Sequence, residues 1–164
     1  MTNLTRFCGP AILVLLLSVM VACVKKETEK YAKVPHLEYK SVNMHSINLS
    51  VDTGEWMMFF DFVDGDGDLG TRANDNEMRI FLKNEVLDKV YEFPFPYIPP
   101  SARSGKSYLK GASKAVLDIQ AFFRMRDDIP DRDKDTFVFS LYIVDEAGNQ
   151  SNTLISDSIY IVQQ

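Results

Sequence analysis

The chain is poor in cysteine and histidine. Its two cysteines are Cys8 and Cys23, and its two histidines are His36 and His45. No cysteine follows residue 23, so the body of the chain can form no disulfide, no thiolate metal site and no cysteine nucleophile. The two imidazoles lie on or near the first strand-like segment with no nucleophile motif beside them, and acid–base catalysis needs a base positioned against a reacting group. Acidic residues such as Asp127 and Asp128, or Asp131, Asp133 and Asp135, are of the type that serves as paired carboxylates. They sit in Arg126-Asp127-Asp128-Ile129-Pro130-Asp131-Arg132-Asp133-Lys134-Asp135, which reads as a solvated loop of mixed charge. A non-enzymatic role is therefore expected. Positive charge is also scarce, with 18 Lys and Arg against 23 Asp and Glu for a formal net charge of −5. That balance argues against nucleic acid as a partner. There is no fixed-period repeat, and only one long apolar run.

That run, Ala11 to Ala22, is interrupted only by Ser18 and preceded by Arg6. A hydrocarbon core about 30 Å thick needs roughly 20 apolar residues in a helix, whereas the apolar part of a signal peptide needs about 7 to 15. The run is read as a removable leader. It ends at Met20-Val21-Ala22-Cys23, after which the chain turns polar at Lys25-Lys26-Glu27-Thr28-Glu29-Lys30. This resembles the lipobox of bacterial lipoproteins, with Met20 where that pattern usually has Leu. The resemblance implies that Cys23 becomes the mature N-terminus and carries diacylglycerol and a fatty acid. The alternatives are an ordinary secretory signal cut after Ala22 and an uncleaved anchor. Several acyl chains at about 0.8 kcal/mol per buried methylene hold a protein stably on a membrane. Loss of the leader removes one basic residue, Arg6, and makes the remainder more acidic. The expected organisation is a signal peptide over 1–22, a flexible Lys/Glu-rich tether over 23–35, and one domain over 36–164.

From residue 36 the apolar residues recur with a period of two, the mark of half-buried strands. Trp56, Met58, Phe60 and Phe62 alternate with other residues, as do Phe137, Phe139, Leu141 and Ile143. Ala115, Leu117, Ile119, Ala121, Phe123 and Met125 form a third such row, and Ile155, Ile159 and Ile161 a fourth with a break at Asp157. Strands are also predicted over Leu37 to Val51, interrupted near Asn43, and over Met78 to Lys83. Asp52-Thr53-Gly54 and Ala147-Gly148-Asn149 carry glycine where a hairpin needs positive φ. The segment from Ser101 to Ala112 is small, polar and basic and reads as a mobile loop. The fold class is thus all-β: an antiparallel immunoglobulin-like β-sandwich of about seven strands, with a small barrel as the alternative.

Two segments carry candidate function. Tyr91-Glu92-Phe93-Pro94-Phe95-Pro96-Tyr97 cannot be a central strand, because its prolines lack ladder donors. It is expected at an edge or as a covering segment. Tyr91, Phe93, Phe95 and Tyr97 either cap the core or form an exposed strip for a glycan or a partner chain. The second segment is Asp64-Gly65-Asp66-Gly67-Asp68-Leu69-Gly70, directly after the Trp56–Phe62 row. Carboxylates packed this closely repel, and Ca²⁺ relieves the repulsion by accepting six to eight oxygens at about 2.3 to 2.6 Å. In register with the helical calcium loop, Leu69 replaces the turn glycine and Asp75 the bidentate Glu, and the flanks read as strands, so a helix-loop-helix site is not expected. Either the loop binds Ca²⁺ or its aspartates simply bond neighbouring amides. If the strands before Asp64 and before Asp145 are the second and sixth of an immunoglobulin-like sandwich, their following loops share one end. Asp145 or Asn149 would then complete the cation site, unless they only fix their own hairpin.

Asp64 to Gly70, the later Asp145-Glu146-Ala147-Gly148-Asn149-Gln150-Ser151-Asn152 and the lipobox together resemble a group of uncharacterised lipoproteins of Bacteroidota. The Asp-x-Ala-Gly-Asn-x-Ser pattern is similar to bacterial immunoglobulin-like domains in general. The resemblance implies the anchor and the fold and implies no activity. The expectation is a lipoprotein held on the membrane, in the outer membrane with a periplasmic or surface face. It would act as a structural or interaction module for an envelope protein, stabilised by Ca²⁺, with a glycan-binding module on Tyr91 to Tyr97 as the alternative.

Overall fold

The computed structural model describes residues 31–73, 76–103, 107–124 and 134–162. The expected leader, Cys23, the tether before residue 31, Asp75, and Asp127 to Asp133 lie outside the described residues. Among the described residues no helix is long and apolar enough to cross a membrane.

The described residues form ten strands, in order β1 (His36–Val42), β2 (Ser46–Asn48), β3 (Glu55–Asp64), β4 (Met78–Asn84), β5 (Lys89–Pro94), β6 (Leu109–Asp118), β7 (Lys134–Phe137), β8 (Phe139–Ile143), β9 (Leu154–Ile155) and β10 (Ile159–Val162). The protein is all-β. One sheet has the order β1-β3-β6, a second β2-β10-β7 and a third β5-β4-β8-β9. Among the described residues every strand pairing is antiparallel except β2 with β10, which is parallel. β3 is the central strand of the first sheet and pairs with β6 along its whole length, from Glu55 opposite Asp118 to Asp64 opposite Leu109.

The period-two pattern is realised most fully in β3, whose Trp56, Met58, Phe60, Phe62 and Asp64 all point inward. The core they enter is shared by all three sheets. Trp56 on β3 meets Phe139 on β8 with ring centroids 4.8 Å apart, and Phe123 packs against both. The row Phe137 to Ile143 is inward throughout, but Val138 interrupts it, and the chain passes there from the sheet of β10 to the sheet of β4. The break near Asp157 separates β9 from β10. Two buried serines satisfy the backbone near these breaks: Ser156 Oγ accepts from Phe139 N–H at 2.9 Å, and Ser151 Oγ from Ile143 N–H at 3.0 Å.

Three local expectations are corrected. The strand expected to run through Phe123 ends at Asp118, and Ile119–Phe122 form a helical turn whose N-cap is Asp118, its carboxylate accepting from Ala121 N–H at 2.8 Å. Aspartate favours that cap, and the turn returns Phe123 to the side of Ile119 while Ala121 is left exposed. The loop expected over Ser101 to Ala112 contains a 3₁₀ turn at Pro100–Arg103 and the first residues of β6. Gly111 is small there because the Phe62 ring lies over it, 3.1 Å from where a β-carbon would stand. Asp52-Thr53-Gly54 is no hairpin: Gly54 has φ +103, but β2 and β3 belong to different sheets. Gly148, with φ +88, does sit in the antiparallel turn between β8 and β9.

Candidate metal centre

The strand alternation that builds the core also places the first acidic group. Asp64 occupies the last inward position of β3, so its carboxyl group is fully buried. The chain then turns through Gly67 and Gly70, both at positive φ. Leu69 plugs back into the core, and its N–H donates to Asp64 Oδ2 at 3.2 Å. At the end of β8 the chain delivers Asp145, also fully buried. Its two oxygens accept from the backbone N–H and side-chain amide of Asn149 at 2.7 and 2.8 Å.

One oxygen from each of Asp64, Asp66, Asp68 and Asp145 lies within 4.8 Å of the others. Ligands on opposite sides of one Ca²⁺ stand about 4.6 to 5.2 Å apart, so this spacing is that of a shared cation. Asp64 Oδ1 and Asp68 Oδ1 are buried and accept no hydrogen bond. A buried oxygen without a donor costs about 1 to 3 kcal/mol, more when charged. Burial, and then the charges of Asp68 and Asp66, push the Asp64 carboxyl up to about 7, against the opposing pull of the Leu69 N–H. Burial and the charges of Asp145 and Asp66 likewise raise Asp68. The four carboxylates can hold a metal ion.

The surroundings hold the loop in place through its backbone. Buried Arg79 donates to the Asp145 carbonyl at 2.7 Å. Arg103 donates to the carbonyls of Gly67, Leu69 and Ile98, the last two at 2.7 and 3.1 Å. Thr71 donates through both its N–H and its hydroxyl to Glu146. Sequence reasoning missed Arg79 and Arg103. Arg79 left one signal, a charged residue beside the apolar Ile80–Leu82 stretch, whereas nothing in the Pro/Ser-rich segment distinguishes Arg103. Asn149 stands behind Asp145 as a donor, through both its backbone N–H and its side-chain amide nitrogen.

The aromatic segment does not form an exposed strip. β5 is an edge strand, as its prolines require, but Tyr91 and Phe95 are buried and Phe93 packs half-buried on the core. Phe95 meets the Phe62 ring edge-on at 5.4 Å, and Tyr91 meets Phe122 at 5.1 Å. Only Tyr97, at 45% exposure, reaches well into solvent. The rings cap the core, because burying their apolar area outweighs presenting it. His36 is exposed, and exposed His45 lies 3.1 Å from Asp157, which also accepts from the Tyr39 hydroxyl. Comparison with protein-family models, with curated proteins and with solved structures gives no match.

Proposed function

We propose that this chain is a lipid-anchored, non-enzymatic module of the bacterial cell envelope, an immunoglobulin-like β-sandwich stabilised by one Ca²⁺ on Asp64, Asp66, Asp68 and Asp145. The observation that carries the cation is the pair of buried carboxylate oxygens without donors inside a four-carboxylate cluster. An acidic turn satisfied by its own amides would leave no such pair. Ca²⁺ fits better than Mg²⁺, which demands near-ideal octahedral geometry and keeps several waters, whereas here four protein carboxylates already converge. A structural use of the ion suits its place, since the site pins the end of β3 to the end of β8 across the core.

The strand order supports the immunoglobulin-like reading. The opening segment splits, β1 pairing with β3 while β2 runs parallel to β10 on another sheet. The grouping of β1, β3 and β6 against β5, β4, β8 and β9 matches the division of strands in that fold. The anchor rests on Met20 to Cys23 and the apolar run before it. On this reading the domain is held on the outer membrane, facing the periplasm or the surface, as a module for an envelope protein or a glycan.

Thermal unfolding of the full chain tests the cation. At a calcium concentration about a hundredfold above Kd, binding adds about 2.7 kcal/mol, a rise in Tm on the order of 10 °C over the same protein in chelator. Asp66→Ala should abolish the rise. Equal melting with and without Ca²⁺ overturns the cation reading. The anchor is tested separately: Cys23→Ser should move the protein from the membrane to the soluble fraction, and an unacylated native Cys23 peptide in mass spectrometry would refute it.

A further inference from the structure

Residues 31–35, the last part of the expected tether, lie against the acidic loop. Gly65 N–H donates to the Ala32 carbonyl at 2.9 Å. The Tyr31 ring meets the edge of Tyr108 at a centroid distance of 4.8 Å, and Tyr108 itself flanks Gly67, its carbonyl carbon 3.4 Å from where a β-carbon there would stand. Pro35 is buried. A β-carbon on Gly65 would stand 2.3 Å from the Ala32 oxygen and 2.4 Å from the Tyr31 oxygen. Unlike Gly67 and Gly70, Gly65 is not at positive φ. Its backbone conformation therefore suits any residue, and what its missing side chain provides is room for this segment.

We propose that Tyr31–Pro35 docks on the loop that supplies Asp64, Asp66 and Asp68, so that cation binding and docking are coupled and the ion sets how the domain is held relative to its membrane-proximal end. The proposal rests on the cation reading above. Gly65 lies between two of the carboxylates, and its N–H is the group that grips Ala32. Without a cation, repulsion among Asp64, Asp66 and Asp68 favours a looser loop, which presents that N–H less often. With the ion in place the loop is held closed and the segment stays docked. Linkage makes the effect reciprocal: whatever factor calcium adds to docking, docking adds to calcium affinity, and such factors commonly run from about 5 to 150. The consequence is mechanical. A lipid-anchored domain with residues 31–35 docked hangs on a shorter tether, whereas an undocked one reaches farther from the membrane.

Cleavage after Lys33 by endoproteinase Lys-C, measured on the full chain well below its melting temperature, reports undocking, since proteases act on locally opened chain. Calcium should slow this cleavage about tenfold or more. Gly65→Ala should restore rapid cleavage in calcium and weaken calorimetric Kd by a matching factor. Tyr31→Ala, which removes the ring that meets Tyr108, should do both to a smaller degree. Calcium binding that leaves the Lys33 rate unchanged overturns this proposal alone, as does wild-type calcium affinity in both variants. Absence of calcium binding in calorimetry overturns the cation reading and this proposal with it.

Discussion

Trp56→Ala is expected to remove about 3 to 5 kcal/mol of stability, the range for deleting a large buried aromatic side chain. Trp56 is fully buried on the central strand of its sheet and heads the largest side chains of the core. It touches Phe139 at 4.8 Å and Phe123 at 5.8 Å, so its loss opens a cavity bordered by two rings from different parts of the chain. Its indole N–H also donates to the Met44 carbonyl at 3.2 Å, which would be left without that donor. Domains of this size have about 5 to 15 kcal/mol in total, so the variant should be partly unfolded at 37 °C. Trp56→Phe keeps a ring but removes the N–H, and should cost about 1 to 2 kcal/mol by the net value of one hydrogen bond and the smaller ring. Urea denaturation followed by far-ultraviolet circular dichroism is the suitable probe, because Trp56 is the only tryptophan and its fluorescence is lost with it. A loss below about 1 kcal/mol for the alanine variant would show that the facing sheets do not depend on this ring.

Why that residue could be picked out from sequence, while others could not, comes down to period and company. Trp56, Met58, Phe60 and Phe62 stand at every second position with charged Asp61 on the other parity. Although Met57 and Phe59 on that parity are apolar as well, the strand buries the first set and leaves the second half-exposed. The row from Ala115 onward alternates just as well, yet past Asp118 the chain is helical. Residues four apart in a helix share a side, so Ile119 and Phe123 satisfy either period, and only exposed Ala121 distinguishes them. Leu109 to Ser113 were illegible for the opposite reason. Small residues there accommodate the rings of β3, and their lack of apolar bulk resembles a loop. Gly54 announced a turn correctly but not its destination, since positive φ fixes local direction and says nothing about which sheet receives the next strand.

The acidic centre was legible in its first three members because strand parity carries Asp64 inward and a Gly-spaced run follows it. Asp145 was reachable only through topology, as the residue ending the strand whose loop shares an end with the first. Its association with the other three, from 77 to 81 positions earlier in the chain, is visible in the structure alone. Asn149 has the donor chemistry to hold a carboxylate and the acceptor chemistry to hold a cation, and sequence does not choose between them. In the structure its amide nitrogen takes the first role, donating to Asp145 at 2.8 Å.

Asp64→Asn should stabilise the cation-free protein above neutral pH and remove its calcium response. The buried Asp64 carboxyl is held up to about 7 against 3.8 in the unfolded chain. Between those values the folded state keeps a proton that the unfolded state has released, so folding stability falls as pH rises. The contribution is intact below about pH 4, erodes across the window from about 4 to 7, and is gone above it. At 1.36 kcal/mol per unit the loss is on the order of 4 kcal/mol, with Asp68 adding a change of the same sign. Asp157 and Glu146 have lowered values, so their contribution rises with pH, but it does so mainly below the window. Asparagine keeps the shape of Asp64 without the charge, so in chelator the variant should match wild type near pH 4 and exceed it by a few kcal/mol at pH 8. Calcium competes with the same proton, so wild-type stabilisation by Ca²⁺ should be slight at pH 5 and largest above pH 7, while the variant shows little at either. Urea titrations of both proteins at intervals from pH 4 to 8 decide the matter. A wild-type-minus-variant difference that stays flat across that range would mean that Asp64 carries no buried charge, and with it would go the reason for a cation to bind there.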